Sequence, residues 1–153
     1  MSESEARLAA LGHTLPVVGK PLFNYVPFKR AGEIAFLSGQ VPRFADGSLV
    51  TGKVGEALTL EEGQKAAVIC GLHLLAVAKA AAGSLEKVEF LKLFGMVYAT
   101  PDFGAQPKVI DACSELLVQV LGERGRHARS AIGMGSLPSN VPVEIEAVIR
   151  ILD

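Results

Sequence analysis

The spacing of apolar residues changes repeatedly along this chain, and each change predicts an element. Ser2-Glu3-Ser4-Glu5 has the form of a capping box, and Leu8 with Leu11 supply an apolar side, so a short helix is expected before Gly12. Phe23 to Lys29 and Glu33 to Ser38 are rich in aromatic and aliphatic residues and flank Arg30-Ala31-Gly32, which reads as a hairpin. Gly39, Pro42, Asp46-Gly47, Gly52 and Gly55 then mark Gly39 to Leu58 as a long loop. Thr59 with Glu62 forms a second capping box and opens the longest helical pattern, which ends at Gly83. Its broad apolar face, with Ala67, Gly71, Leu74 and Ala78, is built largely of small residues, as close packing on a sheet requires.

Val88 to Thr100 reads as a strand, and Asp102 is the expected cap of a helix running from about Pro107 to about Gly122. That helix carries the stripe Val109, Ala112, Cys113, Leu116, Leu117 and Val120. Two strands close the chain, Ala128 to Met134 and Val141 to Leu152, joined across Ser136 to Asn140. In the last, Val143, Ile145, Ala147, Ile149 and Ile151 alternate with Glu144, Glu146, Val148 and Arg150. The pattern predicts one α+β domain over residues 1–153, a mixed sheet packed by two helices in two layers.

Composition adds a second expectation. Half the residues are hydrophobic and a fifth charged, while a compact monomer of 16.1 kDa exposes roughly 7,400 Å². A face left over by a two-layer fold would need cover, and a subunit interface is the simplest form of it. The net charge of −1 gives no global attraction to nucleic acid or an anionic membrane. The densest basic run, Lys108 through the turn Glu123 to Arg129, reads either as an anion site larger than a single carboxylate or as a basic helix end where Arg124 and Arg126 oppose the macrodipole. Residues 1–10 do not read as a secretory leader. The greasy stretch Ala66 to Ala78 is shorter than the roughly 20 residues that span a bilayer, so a buried helix and no membrane partner are expected. Cys70 and Cys113 lack paired spacing and fit reduced thiols in a cytoplasmic protein.

Familiar catalytic motifs are absent: the sequence has no phosphate-binding glycine loop, no His-Glu pair at metal spacing and no serine elbow. His13, His73 and His127 are scattered, so neither a metal nor another cofactor is expected. What remains are charges on strands. Arg129 stands at the start of a strand, where a guanidinium needs a partner. Glu144 and Glu146 share a face of the last strand, which suits a functional carboxylate, a solvated edge or a structural ion pair equally.

Four stretches together resemble a known family: Ser38-Gly39-Gln40-Val41-Pro42, Ala128-Arg129-Ser130, Ser136-Leu137-Pro138 and Val143-Glu144-Ile145-Glu146-Ala147. In this order, over about residues 23 to 152, they look like the signature of the reactive intermediate deaminase (Rid, YjgF-type) family. The long loop after Gln40 and Gly125-Arg126-His127-Ala128-Arg129 are similar to a longer-loop branch often labelled putative endoribonuclease. The resemblance implies a chorismate mutase-like fold, a homotrimer, and small-molecule sites between subunits. Deaminase members hydrolyse enamines and imines such as 2-aminoacrylate to a 2-oxo acid and ammonia. By that likeness Arg129 holds the substrate carboxylate, Glu144 attends the attacking water, Tyr25 lines the pocket and Gly39 offers a backbone contact.

The chain also departs from the pattern. Ala131 stands where many members carry cysteine, His127-Ala128 replaces a Pro-Ala pair, and the loop Arg43 to Leu58 is longer. Three functions remain to be weighed: an enamine or imine deaminase, a non-catalytic trimer binding a small carboxylate metabolite, and an endoribonuclease. Two tyrosines, no tryptophan and no evident basic groove offer little for stacking bases or tracking phosphates. Glu144 separates the first two, since a binder needs Arg129 whereas a hydrolase needs both.

Overall fold

Both capping boxes form, and each fixes the start of its helix. In a computed structural model describing residues 1–153, Ser2 and Glu5 exchange side chain to backbone bonds at the head of α1 (Glu3–Ala10). Thr59 and Glu62 do the same for α2 (Leu60–Ala82), which ends at Gly83 in the left-handed conformation (φ 82°) that glycine adopts without strain. The strands are β1 (Phe28–Ala31), β2 (Ile34–Gln40), β3 (Val88–Tyr98), β4 (Ala128–Met134) and β5 (Val143–Ile151), and α3 (Gln106–Leu121) lies between β3 and β4.

The five strands form one mixed sheet in the order β1-β2-β5-β3-β4. Only β3 and β4 run parallel, because α3 carries the chain back between them; every other pair is antiparallel. Ala35, Leu37, Phe90, Leu93, Val97, Val143, Ile145 and Ile149 are buried and turn the same sheet face toward α2 and α3. Small residues allow the close approach: a Cβ on Gly95 would fall 2.5 Å from Ile110, and one on Gly71 would fall 3.0 Å from Cys113 Sγ. The 23-residue α2 is long and apolar enough to cross a membrane by length and composition. Half of that stretch is buried here against the sheet and α3, which is the use its small apolar face predicts.

The opposite face has no second layer. Phe36 (54% exposed) and Ile132 (41% exposed) project from it, together with Phe94, Met96, Val148, Lys92, Glu144 and Glu146. The chain exposes 7873 Å², above the roughly 7,400 Å² of a compact monomer of this mass.

Several expected boundaries move: Arg30 and Ala31 lie in β1 rather than in the turn, β2 continues through Gln40, and two others shift further. The first strand was expected over Phe23 to Lys29, but pairing begins at Phe28, and residues 23–27 run as an exposed strap. Pro27 has no N–H to give the ladder, and Phe23 and Tyr25 face solvent or the cleft described below. The helix expected to be capped by Asp102 starts at Gln106, with Ala105 at the cap position and no side-chain cap. Asp102 lies in an exposed turn several residues too early, while Pro107 at the second helical position fixes the entry.

Arg124 locks α1 to the domain. It donates to Leu85 O at 2.7 Å, Val88 O at 2.8 Å, Ser4 Oγ at 3.3 Å and Glu86 Oε2 at 2.9 Å, with its side chain 25% exposed. Arg124→Ala leaves two carbonyls without this donor and costs about 3 kcal/mol, a fall in melting temperature of roughly 6–12 °C. Calorimetry checks this; a melting point unchanged from wild type would show that water replaces the guanidinium without loss.

Candidate functional site

A cleft of about 590 Å³ opens where β2 ends beside β5. The pairing of β2 with β5 passes from Leu37↔Ala147 to Gln40↔Ile145, so Ser38 and Gly39 stand opposite the single residue Glu146. This bulge sets Gly39 against the Glu144 side chain where β2 ends. Gly39 leaves the Glu144 side chain its room: a Cβ would fall 3.1 Å from the carboxyl carbon of Glu144, which would have to shift by a few tenths of an ångström. The strap and the residues from 17 leading into it form the second wall, pinned to β2 by Ser38 N donating to Pro27 O (2.9 Å) and Ser38 Oγ to Val26 O (2.6 Å). Tyr25 lies on this wall.

The third wall comes from the long loop and α2. His73 Nε2 is 2.9 Å from Arg43 O, so this histidine ties loop to helix. The loop also extends the end of β3, with Val54 N donating to Tyr98 O and Thr100 N to Val54 O, both at 3.0 Å. Ser139 (φ 55°) and Asn140 (φ 60°) are consecutive left-handed residues at the rim. Serine adopts that region at a cost, and Asn140 O holds Gly52 N at 2.8 Å, which fixes loop and rim together.

Glu144 is half-buried in this cleft. Burial, and secondarily the charge of Glu146 on the same face, push its pKa above the ordinary carboxylate value. A carboxyl tuned upward is better matched to proton transfer near neutral pH than an exposed one.

Arg129 is elsewhere. It pairs in register with Leu93, whose neighbour on β5 is Ala147, and so points to the helix side of edge strand β4. Glu144 is three residues from Ala147, on the opposite face and two strands away, roughly 10 Å across the sheet. The chain therefore gathers Tyr25, Gly39 and Glu144 into one cleft and leaves Arg129 on β4, packed against α3. There its Nη1 donates to Asp111 Oδ1 (3.0 Å) and Ser114 Oγ (3.1 Å), and its Nη2 to Pro107 O (3.4 Å). Three of a guanidinium's five N–H donors are engaged, leaving Nε–H and one on Nη2 without partners, the number a carboxylate needs.

The arginines of the basic run each have a carboxylate partner within the chain: Arg124 pairs with Glu86, Arg126 with Glu123 and Arg129 with Asp111. Asp111 and Ser114 went unnoticed in the sequence; their only mark is polarity at three-residue spacing beside the apolar stripe of α3. The bulge and the left-handed rim carry no sequence signal of that kind. Cys70 and Cys113 are free and buried, and burial lifts the Cys113 thiol to about 12, so neither is a nucleophile.

A mixed five-stranded sheet with both main helices on one face, a bulge-built cleft and an edge-strand arginine defines a chorismate mutase-like α+β protein of the Rid type. Residues 5–146 match the model of the YjgF/chorismate mutase-like, putative endoribonuclease family, and the chain belongs to that family. It is similar to the Agrobacterium tumefaciens protein Atu1372, of unknown function: 45% identity, TM-score 0.90, covering 97% of this chain and 92% of that one. It is also similar to a putative endoribonuclease of Shewanella oneidensis, at 31% identity and TM-score 0.93 over 98% of this chain and all of that one. Protein TCP17 of Trypanosoma cruzi is 38% identical over 148 residues, 95% of this chain and 92% of that protein.

Proposed function

We propose that this protein is a hydrolytic deaminase of small enamines and imines of the 2-aminoacrylate type, giving a 2-oxo acid and ammonia, and that it works as a homotrimer in the cytoplasm. The observation that carries the reading is Glu144, a half-buried carboxyl with a raised pKa facing a cleft beside Gly39 and Tyr25. Arg129 supplies the anchor for the substrate carboxylate through its two unpartnered N–H groups. With the carboxylate held, the enamine takes a proton from solvent at carbon to give the iminium, and water adds to the C=N carbon as Glu144 takes one of the water's protons. Glu144 returns that proton to the amine; the C–N bond breaks as the hydroxyl proton is released to solvent, leaving the 2-oxo acid and ammonia. Nothing in these steps calls for a metal or an organic cofactor.

The opposed placement of Arg129 and Glu144 supports assembly. One chain cannot offer both to one small molecule, whereas a neighbour docked against the uncovered face can bring its Arg129 to the Glu144 cleft. Phe36, Phe94 and Ile132 provide the apolar surface for such contact.

The test is ammonia and 2-oxo acid release from freshly generated 2-aminoacrylate and from bulkier imino acids. Glu144→Gln is expected to bind a 2-oxo acid as wild type does while losing about 10²–10⁴-fold in turnover. Equal turnover in the variant removes Glu144 from the mechanism. A flat response of the wild type to every substrate favours the second reading, a trimer that binds a carboxylate metabolite without catalysis. Asp111, which already neutralises Arg129, is compatible with either. RNA cleavage has the least support, because a chain of net charge −1 with two tyrosines and no tryptophan offers little for tracking phosphates or stacking bases.

A further inference from the structure

Pro107, Asp111 and Ser114 occupy successive turns along one side of α3, and β4 enters beside them after the tight turn Gly122–Gly125. His127 lies at that entry. Its Nδ1 is 2.7 Å from Gly125 O, and only a protonated nitrogen bonds a carbonyl, so Nδ1 carries the hydrogen. In the neutral ring Nε2 is then a lone pair, 2.9 Å from Ser114 Oγ, and the serine donates its one hydrogen there. Oγ keeps its own lone pairs for the Arg129 Nη1–H at 3.1 Å. The bonds run in one sense, from Arg129 to Ser114 to His127 to Gly125 O, so each polarises the next. The neutral ring is favoured by burial first and by the charge of Arg129 as well, against the Gly125 bond and Asp111, which favour the cation.

From this geometry we infer that Ser114 and His127 are positioning residues for Arg129, holding its guanidinium so that Nε–H and the free Nη2–H are presented to a carboxylate. The inference rests on Arg129 being the carboxylate anchor. A free arginine gives up considerable rotamer freedom when it grips a ligand. Pinning Nη1 beforehand moves that cost to folding and leaves more of the bond energy for binding. Asp111 alone is a weaker clamp, because its carboxylate is 56% exposed and its attraction is screened. The serine and histidine are the sheltered half of the fixture.

Two readouts on the full chain test the idea: titration with 2-oxobutanoate, and NMR of the arginine Nε and Nη groups, with Arg129 assigned from Arg129→Lys. The wild type is expected to show Arg129 Nη groups in hindered rotation. In Ser114→Ala and His127→Phe those signals should average and the affinity for 2-oxobutanoate should fall about 5- to 20-fold. Ser114→Thr, which keeps the hydroxyl, and His127→Gln, whose amide oxygen can accept from it, should recover most of the loss. The proposal is overturned if Ser114→Ala and His127→Phe bind like wild type with the Nη signals unchanged while Arg129→Ala does not bind. It is equally overturned if the loss accompanies a lower melting temperature and Ser114→Thr fails to restore it, which would mark a packing role. If Arg129→Ala itself binds 2-oxobutanoate as wild type does, the anchor assignment falls and the positioning role with it.

Discussion

Replacing Arg129 with alanine is expected to lower the affinity for a 2-oxo acid, and turnover on the matching imine, by about 10²–10⁴-fold. The figure follows from two charge-assisted hydrogen bonds at about 1.5–3 kcal/mol each. Arg129→Lys should not rescue the loss, because an ammonium cannot reproduce the planar fork or the lateral bonds to Asp111 and Ser114. Melting temperature and oligomeric state should stay near those of the wild type. The acceptors left behind are the exposed Asp111 carboxylate, Ser114 Oγ, which keeps its bond to His127, and Pro107 O, and water serves them at little cost, within about 1 kcal/mol. Isothermal titration with 2-oxobutanoate and light scattering on the same samples measure both quantities. A variant that falls apart into monomers would show Arg129 to be a structural ion pair. A variant that binds at full strength would move the anchor to Lys20 or Arg43, the cations lining the Glu144 cleft.

That dependence on two separated residues shows where reading the sequence succeeds and where it stops. Elements governed by local chemistry are legible: both capping boxes, the left-handed glycine closing α2 and the alternation of β5 all form as their residues dictate. The first strand fails because aromatic residues at 23 and 25 satisfy a strand pattern equally well on a cleft wall, and pairing, not pattern, decides. Asp102 fails as a cap because a turn aspartate and a capping aspartate look alike until the helix start is known. The site is legible only as residue types. Glu144 and Arg129 stand out because charges on strands are uncommon, yet their opposite facing follows from a three-strand register that no local signal encodes. His127, read from the sequence as a scattered histidine and a departure from a Pro-Ala pair, acquires a role once Gly125 O and Ser114 Oγ are placed on its two nitrogens.

Gly125 is the point where fold and site depend on one atom's absence, and Gly125→Ala is expected to be the most damaging small substitution. The residue is buried, and a Cβ there would lie 2.2 Å from Leu117 O, 2.5 Å from Leu117 C and 2.8 Å from Val118 N. These are backbone atoms of α3, which cannot swing aside as a side chain can, so either the last turns of the helix or the segment leading to β4 must move. Overpacking a core costs about 1–3 kcal/mol when side chains can adjust; a backbone clash of this depth should exceed about 4 kcal/mol and lower the melting temperature by at least about 10 °C. The damage should also reach Arg129, because Gly125 O fixes the ring of His127 and displacing it breaks the chain of bonds through Ser114. Folded Gly125→Ala, recovered at low temperature, should therefore bind 2-oxobutanoate more weakly than wild type and show averaged Arg129 Nη signals. Calorimetry and the same titration decide it. A melting point within about 2 °C of wild type would mean that α3 and the β4 entry are packed less closely than these contacts require, and the relay from Gly125 to Arg129 would lose its foundation.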